Sequence, residues 1–274
     1  MANPQKDAVY YKQLMDFCAV HAKKAGSILL KHFDNISFEK EKNAKDPVTN
    51  VDLEAQQYYL AQIKKEFPQD GFLGEESGSL NDTISGCEYT WIVDPVDGTI
   101  NYSAGIPLYC SSIGVARSVK GGKAESVAGA VYDPVLKELF CAFKGGGAWL
   151  NGKPIKVTNR PLEKSVVAIS LSSHPEKLER ELDAIRKLNP SVRRFRALGS
   201  IAHEVCHIAA GRLAASIHTT TTAWDGAAAN LIAQEAGGIV TDLSGKPWDI
   251  DIKDLLVSND HKTHQLLLKA LNGK

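Results

Sequence analysis

The sequence lacks any long apolar segment. No uninterrupted apolar run approaches the roughly 20 residues that a membrane-spanning helix needs. The first residues, MANPQKDAVYYKQ, also lack the apolar core of a secretory signal peptide. We therefore expect a cytoplasmic protein that does not act at a membrane.

An excess of charge of one sign is missing as well. Lys plus Arg number 32 and Asp plus Glu number 32, so the formal net charge is zero. Proteins that bind nucleic acid or acidic membranes through a charged face usually carry a basic excess. The balance therefore argues against nucleic acid as the main ligand, although it leaves room for local charged patches.

Paired cysteines are also missing. The five cysteines include no CxxC pair, and all but Cys87 lie in apolar or mixed periodic runs. This pattern is typical of reduced thiols in a packed core. A nucleophilic cysteine is the alternative.

The chain does contain clear periodic segments. Apolar residues recur at helical spacing over residues 7–33, and a second helix is predicted from Val51 to Phe67, with a Lys-rich loop between them. Strand patterns dominate from 90 to 157 and predict a consecutive antiparallel set. After Asn159, strands and helices alternate.

This order predicts two structural units. Residues 1–155 are expected to form an α+β unit and residues 156–274 an α/β unit. Ligand sites are commonly found where two such units meet. We therefore expect the site in the crevice between them.

Two acids lie at the end of a predicted buried strand in WIVDPVDGT, residues 91–99. Like charges so close disfavour each other's ionisation, so a cation is expected there. Pro95 fixes the backbone, and the Val96 carbonyl can turn towards the carboxylates of Asp94 and Asp97. Three such oxygens suit Mg²⁺. A simple Asp-Pro turn is the alternative.

Further acids are found in two other turns. Glu75 lies in the glycine-bounded segment GEES, and Asp225 begins the helical segment WDGAAANLIAQEAGG. A solvated acidic loop and a helix cap are the ordinary uses of such residues. Together with Asp94 and Asp97, these acids can form one cluster for two cations about 3.5–4 Å apart.

These segments resemble the motifs of a known family. WIVDPVDGTINYSAGIP, preceded by GEES and followed by WDGAAANLIAQEAGG, is similar to the inositol monophosphatases, a lithium-sensitive, Mg²⁺-dependent phosphatase family. KDPVTNVD (45–52) and KGGGAWLNGKPIKV (144–157) extend the resemblance over nearly the whole chain. It implies a layered αβαβα sandwich of the inositol monophosphatase and fructose-1,6-bisphosphatase type. It also implies a homodimer and two or three Mg²⁺ ions.

The resemblance implies the metal ligands. Glu75, Asp94 and the Val96 carbonyl would bind the first Mg²⁺, and Asp94, Asp97 and Asp225 the second. Oxygen ligands of this kind suit a hard cation.

The resemblance also implies the catalytic groups. Thr99 and Glu75 would activate a metal-bound water that attacks the phosphate directly, without a phosphoenzyme. Asp52 would lie near a weaker metal position. The substrate contacts implied by the family are Gly98, Thr99, Ser200, His218 and Asp225. A helix cap is the alternative role of Ser200.

Two regions match the family less closely. Lys42 and Asp46 are the nearest equivalents of residues in the family's mobile loop. His218, seven residues before Asp225, stands where animal inositol monophosphatases have a glutamate that contacts a ring hydroxyl. An imidazole cannot accept from two hydroxyls as a carboxylate does. A changed substrate wall is therefore expected, with capping of a strand end as the alternative.

The segment TINY, residues 99–102, is close to the TxNF pattern of the inositol-type branch. It favours inositol 1-phosphate or a related polyol or sugar phosphate as the substrate. Fructose-1,6-bisphosphate, a 3'(2'),5'-bisphosphate nucleotide and NADP are alternatives on the same scaffold. A regulatory interaction protein is the alternative from another class, since some bacterial relatives bind transcription machinery.

Overall fold

The computed structural model describes residues 4–33, 38–43, 46–77, 86–119 and 123–273, with only the backbone described at 4, 38–43, 46–49 and 77. Its helices are α1 (Pro4–His32), α2 (Asn50–Glu66), α3 (Thr99–Ser103), α4 (Pro175–Leu188), α5 (Ile201–Ala209), α6 (Ala223–Gly226), α7 (Ala229–Glu235) and α8 (His261–Asn272). Its strands are β1 (Phe38–Asn43), β2 (Asp46–Thr49), β3 (Gly71–Gly74), β4 (Tyr89–Asp97), β5 (Cys110–Ser118), β6 (Ala124–Asp133), β7 (Glu138–Phe143), β8 (Gly147–Leu150), β9 (Lys153–Ile155), β10 (Val166–Ile169), β11 (Arg194–Arg196), β12 (Ala215–His218), β13 (Ile239–Thr241) and β14 (Leu255–Ser258).

The larger sheet follows the order of the chain. Strands β3 to β9 lie side by side in sequence order, and within the described residues they make a seven-stranded sheet. Strands β3 and β4 are parallel, and every later pair is antiparallel. The predicted antiparallel set from 90 to 157 is therefore confirmed. Short turns are sufficient to connect antiparallel neighbours, so the strands can follow one another in sequence order.

The smaller sheet has crossovers. Its order among the described strands is β11-β10-β12-β14-β13. Strand β10 is parallel to β11 and to β12, whereas β14 is antiparallel to both of its neighbours. Parallel pairing requires a long connection, and helices supply it here. This explains the alternation of strands and helices after Asn159.

The core consists of five layers. Helices α1 and α2 pack on the outer face of the larger sheet, and α5 and α7 pack between the two sheets. Helices α4 and α8 cover the far face of the smaller sheet. Along β10, Val167 and Ile169 face this outer layer while Ala168 faces the inner one, as the two-residue strand period requires. The predicted αβαβα sandwich is confirmed.

A glycine allows the inner helices to approach the larger sheet closely. A Cβ at Gly114 on β5 would lie only 2.9 Å from the backbone of Ala227 and of Ala228. These residues connect α6 to α7, and α6 carries Asp225. The close contact therefore brings Asp225 towards the edge of β4.

Some expectations about local structure need correction or remain open. The prediction of a Lys-rich loop between α1 and α2 was wrong in part, because β1 and β2 pair there as antiparallel strands. Backbone hydrogen bonds are sufficient for this pairing and leave no apolar pattern in the sequence. The side chains of Lys42 and Asp46 lie outside the described residues.

The larger sheet ends at Ile155 and the smaller one begins at Val166. The division into two units stays a prediction.

All five cysteines are free, and four of them are buried, as expected for core thiols. Among the described residues, no helix is both long and apolar enough to cross a membrane.

Candidate active site

A β-bulge aims the two acids of β4 at one point. Asp94 pairs with Ser112 and Asp97 pairs with Cys110, so three steps along β4 match only two along β5. In a regular strand, residues three apart point to opposite faces. The extra residue at Pro95–Val96 turns Asp94 and Asp97 to the same side of the strand. Bulges commonly redirect side chains in this way beside functional sites.

Three carboxylates meet at this bulge. Asp94, Asp97 and Asp225 each offer an oxygen, and the three atoms lie within 4.8 Å of one another. Asp94 and Asp97 are 2% and 6% exposed. Asp225 also serves as the third residue of a capping box, since the Thr222 amide donates to its Oδ2 at 2.7 Å. The Asp225 side chain can therefore cap α6 and also belong to the carboxylate cluster.

The start of helix α5 holds Asp97. Its Oδ2 accepts from the Ser200 hydroxyl at 2.5 Å and from the Ala202 amide at 2.7 Å, and its Oδ1 accepts from the Ile201 amide at 3.2 Å. Free amides and the helix dipole favour a negative charge at this position. Ser200 does not cap its own helix through its side chain. Asp97, distant in sequence, caps the helix instead.

Glu75 reaches the cluster from the neighbouring strand. Gly74 at the end of β3 pairs with Val93 on β4, so the next residue, Glu75, emerges beside Asp94. Its side chain is hydrogen-bonded to Asp94. Glu75 is thus adjacent to the cluster without belonging to the set of three mutually close carboxylates.

Val96 and Thr99 form the other side of the corner. The Thr99 hydroxyl donates to the Val96 carbonyl oxygen at 2.9 Å. Between them, Gly98 has a φ of 95°, a left-handed conformation that favours glycine. The chain turns sharply there, and α3 begins directly after the turn.

The pKa values of the acids rise because the acids are buried together. Burial raises the pKa of Asp94 well above its ordinary value, and the charges of Glu75 and Asp97 raise it further. Burial also raises the pKa of Asp97, against the lowering effect of its bonds to Ser200 and Ala202. For Asp225, burial and the Asp97 charge raise the pKa to about 7.

This donor set fits a hard divalent cation. Every side-chain ligand candidate is a carboxylate, and the buried Oδ1 of Asp94 has no hydrogen-bond partner among the described residues. A buried carboxylate oxygen without a partner is costly unless a cation binds it. Oxygen-only sites of this kind suit Mg²⁺.

A cavity of about 300 Å³ adjoins the cluster at Ser200. Asn101, Ser170, Leu198, Glu204 and His218 help to line it. The structure thus brings Ser200 and His218, both predicted substrate contacts, into one cavity. None of the described residues that line it is Lys or Arg.

Glu204 is a cavity residue that none of the sequence motifs indicates. Its Oε2 lies 3.4 Å from Nε2 of His218, and both side chains are buried. Ser200 and Glu204 are four residues apart and so share one face of α5, and this spacing is the signal in the sequence that places Glu204 near the site. An acid is therefore present beside His218, although it comes from another element.

Asp52 lies apart from the three-acid cluster. It is fully buried in the first turn of α2. Burial raises the pKa of Tyr102, and the nearby charge of Asp52 raises it further. Its role near a further metal position stays a prediction.

Comparisons with known proteins agree with this geometry. The sequence profile of the inositol monophosphatase family matches residues 12–274. The chain is 35% identical to inositol monophosphatase 3 of Solanum lycopersicum over 272 residues, covering 95% of this chain and 97% of the relative.

Solved structures agree as well. The extragenic suppressor protein suhB from Bartonella henselae matches with a TM-score of 0.86 at 32% identity, covering 95% of this chain and 98% of that chain. A solved IMPase/NADP phosphatase, in complex with Mg²⁺ and phosphate, matches with a TM-score of 0.82 at 27% identity, covering 97% of both chains. The chain therefore belongs to the inositol monophosphatase family and is, like its members, a phosphoric monoester hydrolase.

Proposed function

We propose that this phosphatase is Mg²⁺-dependent and hydrolyses inositol 1-phosphate or a related polyol or sugar phosphate. The observation that carries the proposal is the cluster of Asp94, Asp97 and Asp225 beside a cavity whose described lining includes neither Lys nor Arg. Mg²⁺ bound with phosphate in the solved IMPase/NADP phosphatase supports the choice of metal.

The proposed ligands of two or three Mg²⁺ ions are Glu75, Asp94, Asp97, Asp225 and the Val96 carbonyl. Bound Mg²⁺ would neutralise the phosphate and lower the pKa of water. In the proposed reaction, a bond forms between a water oxygen and phosphorus as the ester P–O bond breaks. The departing alcohol takes up the proton that the water loses.

Side-chain and backbone groups of this chain would orient that reaction. The amides of Gly98 and Thr99 open α3 beside the cluster and would hold the phosphate. The Thr99 hydroxyl, fixed on the Val96 carbonyl, would orient the water together with Glu75. Ser200 and His218 would contact the substrate. Position and electrostatics are the main contributions of a protein to phosphoryl transfer.

The cavity favours a monophosphate with a neutral leaving group. A second phosphate gains much of its binding energy from Lys or Arg. The described lining of the cavity offers neither. This argues against fructose-1,6-bisphosphate and bisphosphate nucleotides. The pyrophosphate of NADP is disfavoured on the same ground, and NADP is kept as the second candidate only because of the similarity to the solved IMPase/NADP phosphatase.

Other parts of the proposal come from the family resemblance. They are the homodimer, the cytoplasmic location, the lithium sensitivity and the metal role of Asp52. A regulatory interaction role stays the alternative from another class.

A substrate panel tests the proposal. Phosphate release is measured with and without Mg²⁺ from myo-inositol 1-phosphate, glucose 1-phosphate, fructose-1,6-bisphosphate and NADP. We expect Mg²⁺-dependent release with the highest kcat/KM for a polyol or sugar monophosphate. Asp94→Asn should lower it by about 10²-fold or more, as for loss of a key electrostatic group.

The exposed acid Asp251 provides a matched control, since Asp251→Asn also removes one carboxylate. Its activity should equal that of the wild type. Release that is independent of Mg²⁺, or no release from any of the four esters, would refute the proposal.

A further inference from the structure

Glu204 has one satisfied and one unsatisfied carboxyl oxygen. The side chain is 2% exposed, and its Oε1 accepts from the Leu198 amide at 2.8 Å. The Gly199 amide also interacts with this carboxyl, but Oε2 is buried and makes no hydrogen bond of good geometry within the described part of the chain. One half of this carboxyl thus holds the turn before Ser200, while the other half is left for a different partner.

His218 is in the same situation. It is 1% exposed, and neither ring nitrogen has a hydrogen-bond partner among the described residues. Its Nε2 lies 3.4 Å from Oε2 of Glu204 without the alignment of a hydrogen bond. Unsatisfied polar groups in a protein interior are costly, because they lose hydrogen bonds to water without replacement. Two such side chains at one cavity wall therefore indicate a ligand that satisfies both.

Both groups are neutral near pH 7. Burial raises the pKa of Glu204 to about 8 and lowers the pKa of His218 to about 3. A protonated carboxyl and a neutral imidazole together offer hydrogen-bond donors and acceptors but no charge. An alcohol hydroxyl, which is itself both donor and acceptor, is the matching ligand group.

The position of Glu204 fits the far side of a substrate held at the metal cluster. Ser200 contacts Asp97, and Glu204 lies four residues further along α5, which is a rise of about 6 Å. A polyol or sugar ring spans such a distance. Both residues line the same cavity.

We propose that Glu204 determines substrate specificity by binding, beside His218, a hydroxyl group of the leaving alcohol. This inference rests on the proposed phosphatase function and narrows its substrate class to hydroxylated phosphate monoesters. The hydroxyl would thus be recognised by a residue of α5, whereas the family motif in the sequence points only to His218 at the end of β12.

The test compares two esters in three proteins. Wild type, Glu204→Gln and Glu204→Leu are assayed with myo-inositol 1-phosphate and with phenyl phosphate, whose leaving group has no further hydroxyl. Glu204→Leu should lower kcat/KM for the inositol ester about 10- to 100-fold, the usual effect of one lost polar contact. The value for phenyl phosphate should change less than about threefold.

Glu204→Gln keeps the proposal testable if the leucine variant does not fold. The amide oxygen of Gln can still accept from the Leu198 N–H, so the turn before Ser200 stays in place. The NH2 group then takes the place of Oε2 and can donate but not accept, so we expect unchanged thermal unfolding and a selective loss of about 5-fold or more on the inositol ester.

The possible outcomes distinguish a failure of the role of Glu204 from a failure of the proposed phosphatase function. Equal losses on both esters would mean that Glu204 only supports the Ser200 turn, and unchanged values on both would mean that it does not contact substrate; either result overturns the inference. A wild type that hydrolyses neither ester would refute the proposed function itself.

Discussion

The carboxylates of the cluster are the residues whose burial is hardest to explain without a bound cation. Asp94 and Asp97 are buried side by side, and Asp225 lies within 4.8 Å of both. Donors from Ser200 and Ala202 stabilise Asp97, but they leave Asp94 with an unsatisfied oxygen. Buried carboxyl groups with raised pKa values, like these three, are concentrated at functional sites in proteins.

The raised pKa of Asp225 predicts a pH effect on stability. Its pKa is about 7 in the folded protein and 3.8 in an ordinary carboxyl, so between these values the folded state holds a proton that the unfolded state has lost. Stability from this group is therefore lost as pH rises from about 4 to about 7.

The difference in melting temperature between wild type and Asp225→Asn, measured without metal at pH 4.5 and 7.5, isolates the effect. The other titratable groups are common to both proteins, so the difference reports on Asp225 and the acids that interact with it. Wild type should lose several degrees relative to the variant at the higher pH, since 1 kcal/mol corresponds to about 2–4 °C. Parallel profiles would show that Asp225 has no raised pKa.

At the scale of elements, the amide side chain of Asn101 connects three segments around the site. Its Nδ2 on α3 donates to the Leu108 carbonyl at 2.8 Å and to the Leu198 carbonyl at 2.7 Å. The Leu198 amide is held in turn by Glu204. The turn that leads into α5, and so to the donors of Asp97, is therefore fixed from both sides.

Replacing Asn101 by Asp should loosen this connection. The ionised side chain has the same shape but cannot donate, and two carbonyls would face a carboxylate. We expect a loss of about 1–3 kcal/mol in unfolding free energy and weaker Mg²⁺ binding, measured by denaturant unfolding and by titration calorimetry. The matched control is Asn189→Asp, at an exposed position. Equal stability of the two variants would contradict this role.

The same elements show what the sequence can and cannot predict. Asp94 and Asp97 are local, so a strand that ends in two acids already predicts their meeting. Glu75 and Asp225 required the family motifs, because nothing in their own segments shows where they lie. Asn101 and Leu198 are 97 residues apart, and Glu204 meets His218 only through tertiary packing. Periodicity carries no signal for such contacts.

At the scale of the whole molecule, the site lies where the layers meet. Asp94 and Asp97 lie on β4 of the larger sheet and Glu75 directly follows β3, whereas Asp225 lies on α6, a separate helix far along the chain. The order of strands and helices predicted this layering well, because each element buries an apolar face of the right period. The pairing of β1 with β2 was not predicted, since charged residues dominate β1.

Because the ligands come from different layers, metal binding should be coupled to their packing. A cation that binds only the folded arrangement stabilises it by mass action. Mg²⁺ should therefore raise the melting temperature of the wild type and leave that of Asp94→Asn nearly unchanged.

The most direct test of the cluster is calorimetric titration of the metal-free protein with Mg²⁺ at pH 7 in the presence of inorganic phosphate. We predict uptake of at least two ions by the wild type, with release of protons as the buried acids ionise, and loss of the binding in Asp94→Asn. No uptake by the wild type, or equal uptake by the variant, would contradict the assignment of these acids as the metal site.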